Sequence, residues 1–502
     1  MALTDKLSAI GSAIREKTGK SDLLTLDQMP TEIAAIETGG GGDSGAITNA
    51  LLSRTFENVE GGIYENEDVE YLGAYAFAYV NNLKKLSLPN VTSAGNRTFA
   101  NFTPNKLELP ALQRIDEYCF QNGGSRELIL PNLEEGDTYC FSNIESYYLY
   151  APKWKEGKNY AINQSCNNLI AAELGWETTS GQRLLYSNKI RAIHLPNLKQ
   201  LGTSQQNTFY GTSYIRAFNF PVLEKVNTAL PFPSCTNLKA IDFGPCTDLS
   251  AIQSKNCLGQ STLETLVLRH DGVVPIGASI GTIIDTTKCS VYVPSAKINL
   301  YKQATNYSSY PGIFKAIEDY PVETTVGFIV NEDLTTVDET TYNGYRYITG
   351  LLLPNVTSVF CDDPVNNNCF KGCESLAWVD LPNATSITGF ANCTELRTVR
   401  APKLERVGSY AFWNCTGLDF LDFPETMKQI GDYAFGDLAY IDIVLRSPEM
   451  VQTNNSPFYS STGYLQYNNI YVPAALVSEY QAHPNWNQMS INPIEGSKYE
   501  EV

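Results

Sequence analysis

The chain has 502 residues, 43% hydrophobic, 11% aromatic and only 18% charged, and its 36 basic against 54 acidic side chains leave a net charge of −18. That apolar content is enough to bury a core and sets global disorder aside. No Lys/Arg-rich run provides the basic stripe that phosphate-backbone binding needs, so nucleic acid is not an expected partner, and no stretch reaches the roughly 18 consecutive apolar residues of a membrane-spanning helix, so membrane insertion is not expected either.

In chain order, residues 1–37 read as a helical head. Leu3, Leu7, Ile10 and Ile14 are spaced four, three and four residues apart, the seam of a short coiled coil, with Thr4 and Asp5 near its start and Gly19 after its last turn. These four are the candidate attachment and homo-oligomerisation residues, although a seam of barely two heptads is marginal alone. Charges recur every few residues from Met1 to Lys20 where a signal peptide would have an apolar core, so no Sec export signal is expected. Ile33, Ala34 and Ile36 follow Pro30 as a second short helix, and the glycine-rich residues 38–45 form a flexible linker.

Residues 46–322 form a first repeat array. An apolar alternation ending in proline recurs at Leu86-Ser87-Leu88-Pro89, Leu107-Glu108-Leu109-Pro110 and Leu128-Ile129-Leu130-Pro131, with 21 residues from proline to proline. The register continues through Ala151-Pro152, Leu174-Gly175, Leu195-Pro196, Phe220-Pro221, Phe243-Gly244, Leu268-Arg269 and Val293-Pro294, ten turns in all. Each alternation predicts a strand of about three residues, because alternate side chains point to opposite faces, and proline ends it by removing a donor. About ten residues later comes a second signature, as in Tyr75-Ala76-Phe77, Tyr118-Cys119-Phe120 and Tyr139-Cys140-Phe141, whose small residue and Phe are assigned to the interior.

A second array, residues 323–497, repeats the pattern through Leu353-Pro354, Leu381-Pro382, Ala401-Pro402, Phe423-Pro424, Leu445-Arg446 and Val472-Pro473, and leaves a tail at 498–502. Both arrays close alike, Val291-Tyr292-Val293-Pro294 with Tyr301 and Ile317 matching Ile470-Tyr471-Val472-Pro473 with Tyr480 and Ile494, which predicts a strand, a short helix and a final strand as the cap a solenoid needs. Cys373, Cys393 and Cys415 recur three residues after Phe370, Phe390 and Phe412, so they are read as small buried hydrophobes rather than as disulfides or metal ligands. The longest interval, 28 residues, contains Cys361-Asp362-Asp363-Pro364-Val365-Asn366-Asn367-Asn368, an inserted loop of the kind that gathers on a binding face. Its Asp362 and Asp363 are candidate ligand-binding residues, with Ca²⁺ as the one cation such oxygens would suit; an ordinary polar turn is the plainer reading, and no other cofactor or metal is expected.

The other candidate binding residues are aromatic. Tyr147, Tyr148, Tyr150, Trp154, Tyr160, Trp176 and Tyr186 gather where the repeat is least regular, and such rings give large rigid contacts at low entropic cost. Tyr118, Tyr139, Tyr410 and Tyr433 instead recur in register and read as a stacked ladder between turns. The sequons at Asn90, Asn355 and Asn414 also follow the repeat, so turn chemistry accounts for them. No nucleophile elbow, phosphate loop, dinucleotide fingerprint or zinc motif is present, and carboxylate pairs such as Glu134-Glu135 read as solvated surface. No catalytic residue is assigned and no enzyme activity is expected.

The pattern Val399-x-Ala401-Pro402-x-Leu404-x-x-Val407-Gly408-x-x-Ala411-Phe412-x-x-Cys415-x-x-Leu418 resembles the BspA-like, or treponemal, class of leucine-rich repeat. It implies a β-rich solenoid of short parallel strands, here as two tandem arrays after a helical head. The head, from Leu3-Thr4-Asp5 through Thr18-Gly19 and on to Ile36, resembles the attachment segment of tail and other structural proteins of phages and prophages of Gram-positive hosts. Together the resemblances imply a non-enzymatic virion protein, held to tail proteins by its head, whose solenoid recognises a bacterial cell-surface protein or polysaccharide. A BspA-like surface adhesin is the alternative, placing the protein on the cell surface rather than the virion; a carbohydrate-active enzyme on a repeat scaffold is the third, and would need a cleft with paired carboxylates.

Overall fold

The computed structural model describes Ala46–Ile47 and residues 60–500, apart from 164, 165, 167, 187, 188, 260, 261, 367, 439 and 460–467. The helical head with Leu3, Leu7, Ile10 and Ile14, and the linker, lie outside the described residues.

The proline-ended alternations become a row of short parallel strands. In the first array it runs Ile63–Glu65, Lys85–Ser87, Lys106–Glu108, Glu127–Ile129, Tyr148–Ala151, Ala171–Leu174, Ala192–His194, Ala217–Asn219, Ala240–Asp242, Thr265–Val267, Ser290–Val293 and Phe314–Ala316. The middle residue of each three-residue strand points inward, as Leu86, Leu107 and Leu128 do, and the residue before each proline, Leu88, Leu109 or Leu130, is buried as well. A second row of two-residue strands, among them Tyr71–Leu72, Ser93–Ala94 and Arg114–Ile115, forms the opposite wall and pairs in parallel too. Between the walls lies one continuous apolar core per array.

The Tyr-Ala-Phe signature builds the bend between the walls. Its Phe residues stack through the interior, Phe99 on Phe120 at 4.8 Å and Phe370 on Phe390 at 4.5 Å between ring centroids. In the bend Tyr118, Phe120 and Asn122 donate their N–H groups to Thr138, Cys140 and Ser142 of the next turn, while Cys119 and Gln121 donate back within their own turn. This alternation requires left-handed backbone at every fourth residue, at Tyr118 (φ 58°) and Asn122 (φ 53°), then Tyr139 and Asn143 (both φ 57°). Asparagine tolerates that region better than other residues with a Cβ, and its side chain then bridges turns: Asn122 Nδ2 donates to Asn101 Oδ1 at 3.0 Å and Asn143 Nδ2 to Asn122 Oδ1. The sequon asparagines Asn90 and Asn355 likewise donate to carbonyls one turn back, at Glu67 and Glu332. Where proline is missing after Phe243, Gly244 stands at φ 54°, and a Cβ there would meet the Phe220 carbonyl oxygen at 2.1 Å.

Each array ends in a strand, a short helix and a strand: Ser290–Val293, Ile298–Gln303 and Phe314–Ala316 in the first, Asn469–Val472, Val477–Ala482 and Ser490–Pro493 in the second. Tyr301 and Tyr480 seal these ends, buried and donating their hydroxyls to or accepting from backbone at Gly272, Val274 and Val451.

After the first cap, Pro321–Thr324 turns the chain and the second array runs back along the first. Its strand row, Gly327–Val330, Ile348–Leu352, Trp378–Asp380, Thr398–Arg400, Phe420–Phe423, Asp442–Leu445, Asn469–Val472 and Ser490–Pro493, is laid against the first row strand face to strand face. Asn219 meets Phe328, Ala192 meets Gly350, Tyr148 meets Trp378 and Arg126 meets Asp422, so numbers fall along one array as they rise along the other. The approach is close because the outward column of the first array turns from Lys85, Lys106 and Glu127 to Ala171, Ala192, Ala217 and Ala240. A Cβ on Gly350 would lie 3.1 Å from the Ala192 Cβ and 2.4 Å from the Phe328 ring. The tail is part of this closure: Tyr499 is buried, Glu500 pairs with Lys84 at 3.0 Å and its carbonyl accepts from Asn105 at 2.6 Å.

Candidate functional site

The aromatic cluster expected from the sequence divides into three locations. Trp154 and Trp176 are wholly buried in the first core, their rings edge to face at 5.1 Å. Trp154 occupies the position two after proline that Leu112 and Leu133 hold in earlier turns, and Gly136 and Gly157 leave the space for the two indoles, since a Cβ there would meet the rings at 2.9 and 3.1 Å. These tryptophans are therefore core residues with no surface for a ligand. Tyr147, Tyr148 and Tyr150 lie at the seam between the arrays. Tyr148 is buried, stacked on Trp378 with centroids 4.7 Å apart, and its hydroxyl donates to Glu173; the Tyr147 hydroxyl donates to Glu127. Tyr160 and Tyr186 alone of the set face outward on the bends, both half-buried.

Charged side chains at the seam are paired across or beside it. Asp422 accepts from Arg126 of the first array and from Arg446 Nε at 2.8 Å; Glu127 accepts from Arg400 Nε at 3.3 Å, and Arg400 Nη1 reaches Asp380 at 3.1 Å. Burial, reinforced by Glu173 and Glu127 and opposed by Arg400, pushes the Asp380 carboxyl up to about 6. Burial also raises the Tyr147 and Tyr148 hydroxyls above their ordinary range, each helped by its carboxylate partner. At the opposite edge Arg216 donates to Glu395 at 2.7 Å and to the Glu374 carbonyl at 2.8 Å. Where the second array's end meets the early turns of the first, a cleft of about 900 Å³ opens between Lys106 and Arg126 on one side and Arg400 and Phe420 on the other. The carboxylates of Glu127 and Asp422 in that cleft are committed to arginines, an arrangement that joins two bodies rather than leaving an acid and a base free.

The outer bend carries the most regular surface chemistry, with Tyr75 exposed and the rest of its column half-buried. One column over six successive turns reads Tyr75, Arg97, Tyr118, Tyr139, Tyr160 and Arg183, and all six are in left-handed backbone with φ between 52° and 62°. Tyr118, Tyr139 and Tyr160 stack with centroids 4.8 and 4.7 Å apart, close to the strand spacing that sets the repeat. The Arg97 guanidinium lies 4.5 Å over Tyr118 and donates to the Tyr75 hydroxyl at 3.2 Å, and Arg183 closes the other end over Tyr160, Tyr186 and Tyr210. The register of Tyr118 and Tyr139 is legible in the sequence; Arg97 and Arg183 in the same column are not, because they break the Tyr-Ala-Phe signature that marks it.

The inserted loop projects from the second array with Asp362 and Asp363 exposed. They do not converge: the Asp363 carboxylate accepts from the N–H and side chain of Asn366, and among the described residues no group of three or more His, Cys, Asp or Glu side chains is placed to hold a metal ion. Glu134 of the pair Glu134-Glu135 is held by Lys155 on the surface.

The sequence matches the family described as BspA type leucine rich repeat region over residues 55–170, 159–277 and 363–478. No curated protein matches the chain. Solved structures similar to it include a leucine-rich repeat protein from Bacteroides ovatus (14% identity, 85% of this chain and 88% of that one, TM-score 0.26). A leucine-rich cell surface protein from Faecalibacterium prausnitzii aligns with 14% identity over 75% and 83% of the two chains at a TM-score of 0.19. The pneumococcal vaccine antigen PcpA aligns with 11% identity over 86% and 85% at 0.23.

Proposed function

Because the chain belongs to the BspA-type leucine-rich repeat family, we propose that it is a non-enzymatic binding and adhesion protein, acting outside the cell that makes it, which recognises a bacterial cell-surface protein or polysaccharide. The observation that carries this reading is the Tyr75 to Arg183 column: hydroxyl-bearing rings and guanidinium groups repeated at one spacing along a rigid bend, where many shallow contacts add up over successive turns. The longer strand rows are used for joining the two arrays, which leaves a partner the bends and the outer face of the two-residue strands.

Within this reading we favour a phage or prophage tail-associated protein, mounted by residues 1–37, over a bacterial surface adhesin; the support is the resemblance of the head to virion attachment segments. The column is tested with fluorescently labelled full-length chain on a panel of Gram-positive and other bacterial cells, with their purified wall polysaccharides as competitors. Saturable binding to a few strains, reduced at least tenfold by Tyr139→Ala with Arg97→Ala and unchanged by Tyr440→Ala, is expected. Binding to no strain, or equal binding by all variants, would reject the column. Light scattering of the full chain against one lacking residues 1–45 tests the head, whose removal is expected to give monomers.

A further inference from the structure

The inserted loop is closed at its base by two cysteines. Cys369 donates its N–H to Cys361 Sγ at 3.1 Å, and Cys369 Sγ reaches the Phe360 carbonyl at 3.2 Å. Both sulfurs crowd one point: a Cβ on Gly389 would stand 2.2 Å from Cys361 Sγ and 2.8 Å from Cys369 Sγ, so the two sulfurs are at most about 5 Å apart. The repeat-spaced cysteines are placed differently, Cys393 and Cys415 each directing its sulfur at a backbone carbonyl of the preceding turn, Phe370 or Phe390.

The geometry points to a redox modification site: Cys361 and Cys369 form a disulfide that locks the Asp362 loop when the chain meets an oxidising thiol–disulfide environment. The partner chemistry is a small-molecule disulfide. The Cys361 thiolate attacks one of its sulfurs, forming a mixed disulfide and releasing one thiolate. The Cys369 sulfur then attacks Cys361 Sγ, forms the internal bond and expels the second thiolate. The two cysteine protons end on the two released thiols, and the two electrons lost by the protein reduce the reagent. The roles are set by the hydrogen bonds, since donation from Cys369 holds the Cys361 thiol below its usual range and the same contact, with burial, raises Cys369. Cys361 is itself buried, between the exposed Phe360 and Asp362, so the reagent reaches the attacking sulfur when the residues around Asp362 move aside.

The test does not depend on the proposed ligand. Full-length protein is held folded with oxidised glutathione, alkylated, then unfolded and alkylated with a second reagent, and the tryptic peptide 347–371, which contains these two cysteines and no other, is weighed. The expected peptide is lighter by two hydrogens and carries no alkyl group until reductant is added, while the other ten cysteines accept the second reagent. Cys361→Ser removes the link and leaves Cys369 free to be alkylated on unfolding. A peptide 347–371 alkylated at both cysteines after oxidation, or a link from either one to a third cysteine, would overturn the assignment.

Discussion

Tyr148 and Trp378, 230 residues apart in the chain, stack with their planes 15° from parallel at the centre of the seam between two antiparallel solenoids. The contact explains why strands that would be half-exposed in a lone solenoid are buried on both faces, as in Ala171–Leu174 and Trp378–Asp380. Replacing Trp378 with Ala removes the largest ring from that seam and is expected to cost about 3–5 kcal/mol. Urea denaturation followed by far-UV circular dichroism measures it; a loss below about 1 kcal/mol would mean the seam contributes little.

Ala192 permits the close approach, facing Gly350 and Phe328. Ala192→Arg places an unpaired guanidinium where neither space nor a partner exists, at a cost of about 3 kcal/mol or more. The arrays are expected to part while each keeps its strands, so the radius of gyration from X-ray scattering rises with the β signal retained. An unchanged radius would show that the seam tolerates the charge.

The seam also carries a pH dependence. Asp380 titrates near 6 in the folded chain against 3.8 unfolded, so the folded state binds this proton more tightly. Its contribution to stability is present below the unfolded value and is lost as pH rises through the folded one, a loss of up to about 3 kcal/mol. Asp380→Asn, which keeps an oxygen for Arg400, is expected to become progressively more stable relative to the unaltered chain between pH 4.5 and 7. Parallel urea curves that keep a constant difference across that range would refute the assignment.

Asn122 tests the bend. Its left-handed backbone and its two amide bridges make Asn122→Ala costly, whereas Asn122→Gly loses the bridges but relieves the backbone, so the alanine variant is expected to be less stable by about 1 kcal/mol. Equal melting curves for the two variants would remove backbone conformation as the cause.

Much of this fold is written locally. The 21-residue period, the proline after each strand and the Tyr-Ala-Phe bend each act within one turn or on the next, and a sequence states such rules openly. The burial of Trp154 is legible as well, since it stands two residues after its proline, where Leu112 and Leu133 stand after theirs. The fold-back was harder to read because its partners are hundreds of residues apart; its one local trace is the column of Ala171, Ala192, Ala217 and Ala240 on a face that would otherwise meet water. Arg97 and Arg183 are hidden in the sequence for a related reason: they share a column with tyrosines but not their signature.

The antiparallel closure is the claim on which the seam, the pH dependence and the choice of outer bend all rest, and a zero-length carbodiimide cross-link read by mass spectrometry tests it directly. Lys84 and Glu500, 416 residues apart in sequence with side chains 3.0 Å apart, should couple within one molecule at a yield comparable to the neighbouring-turn pair Lys155 and Glu134. Coupling of Lys155 to Glu134 without any link between Lys84 and Glu500 would contradict it.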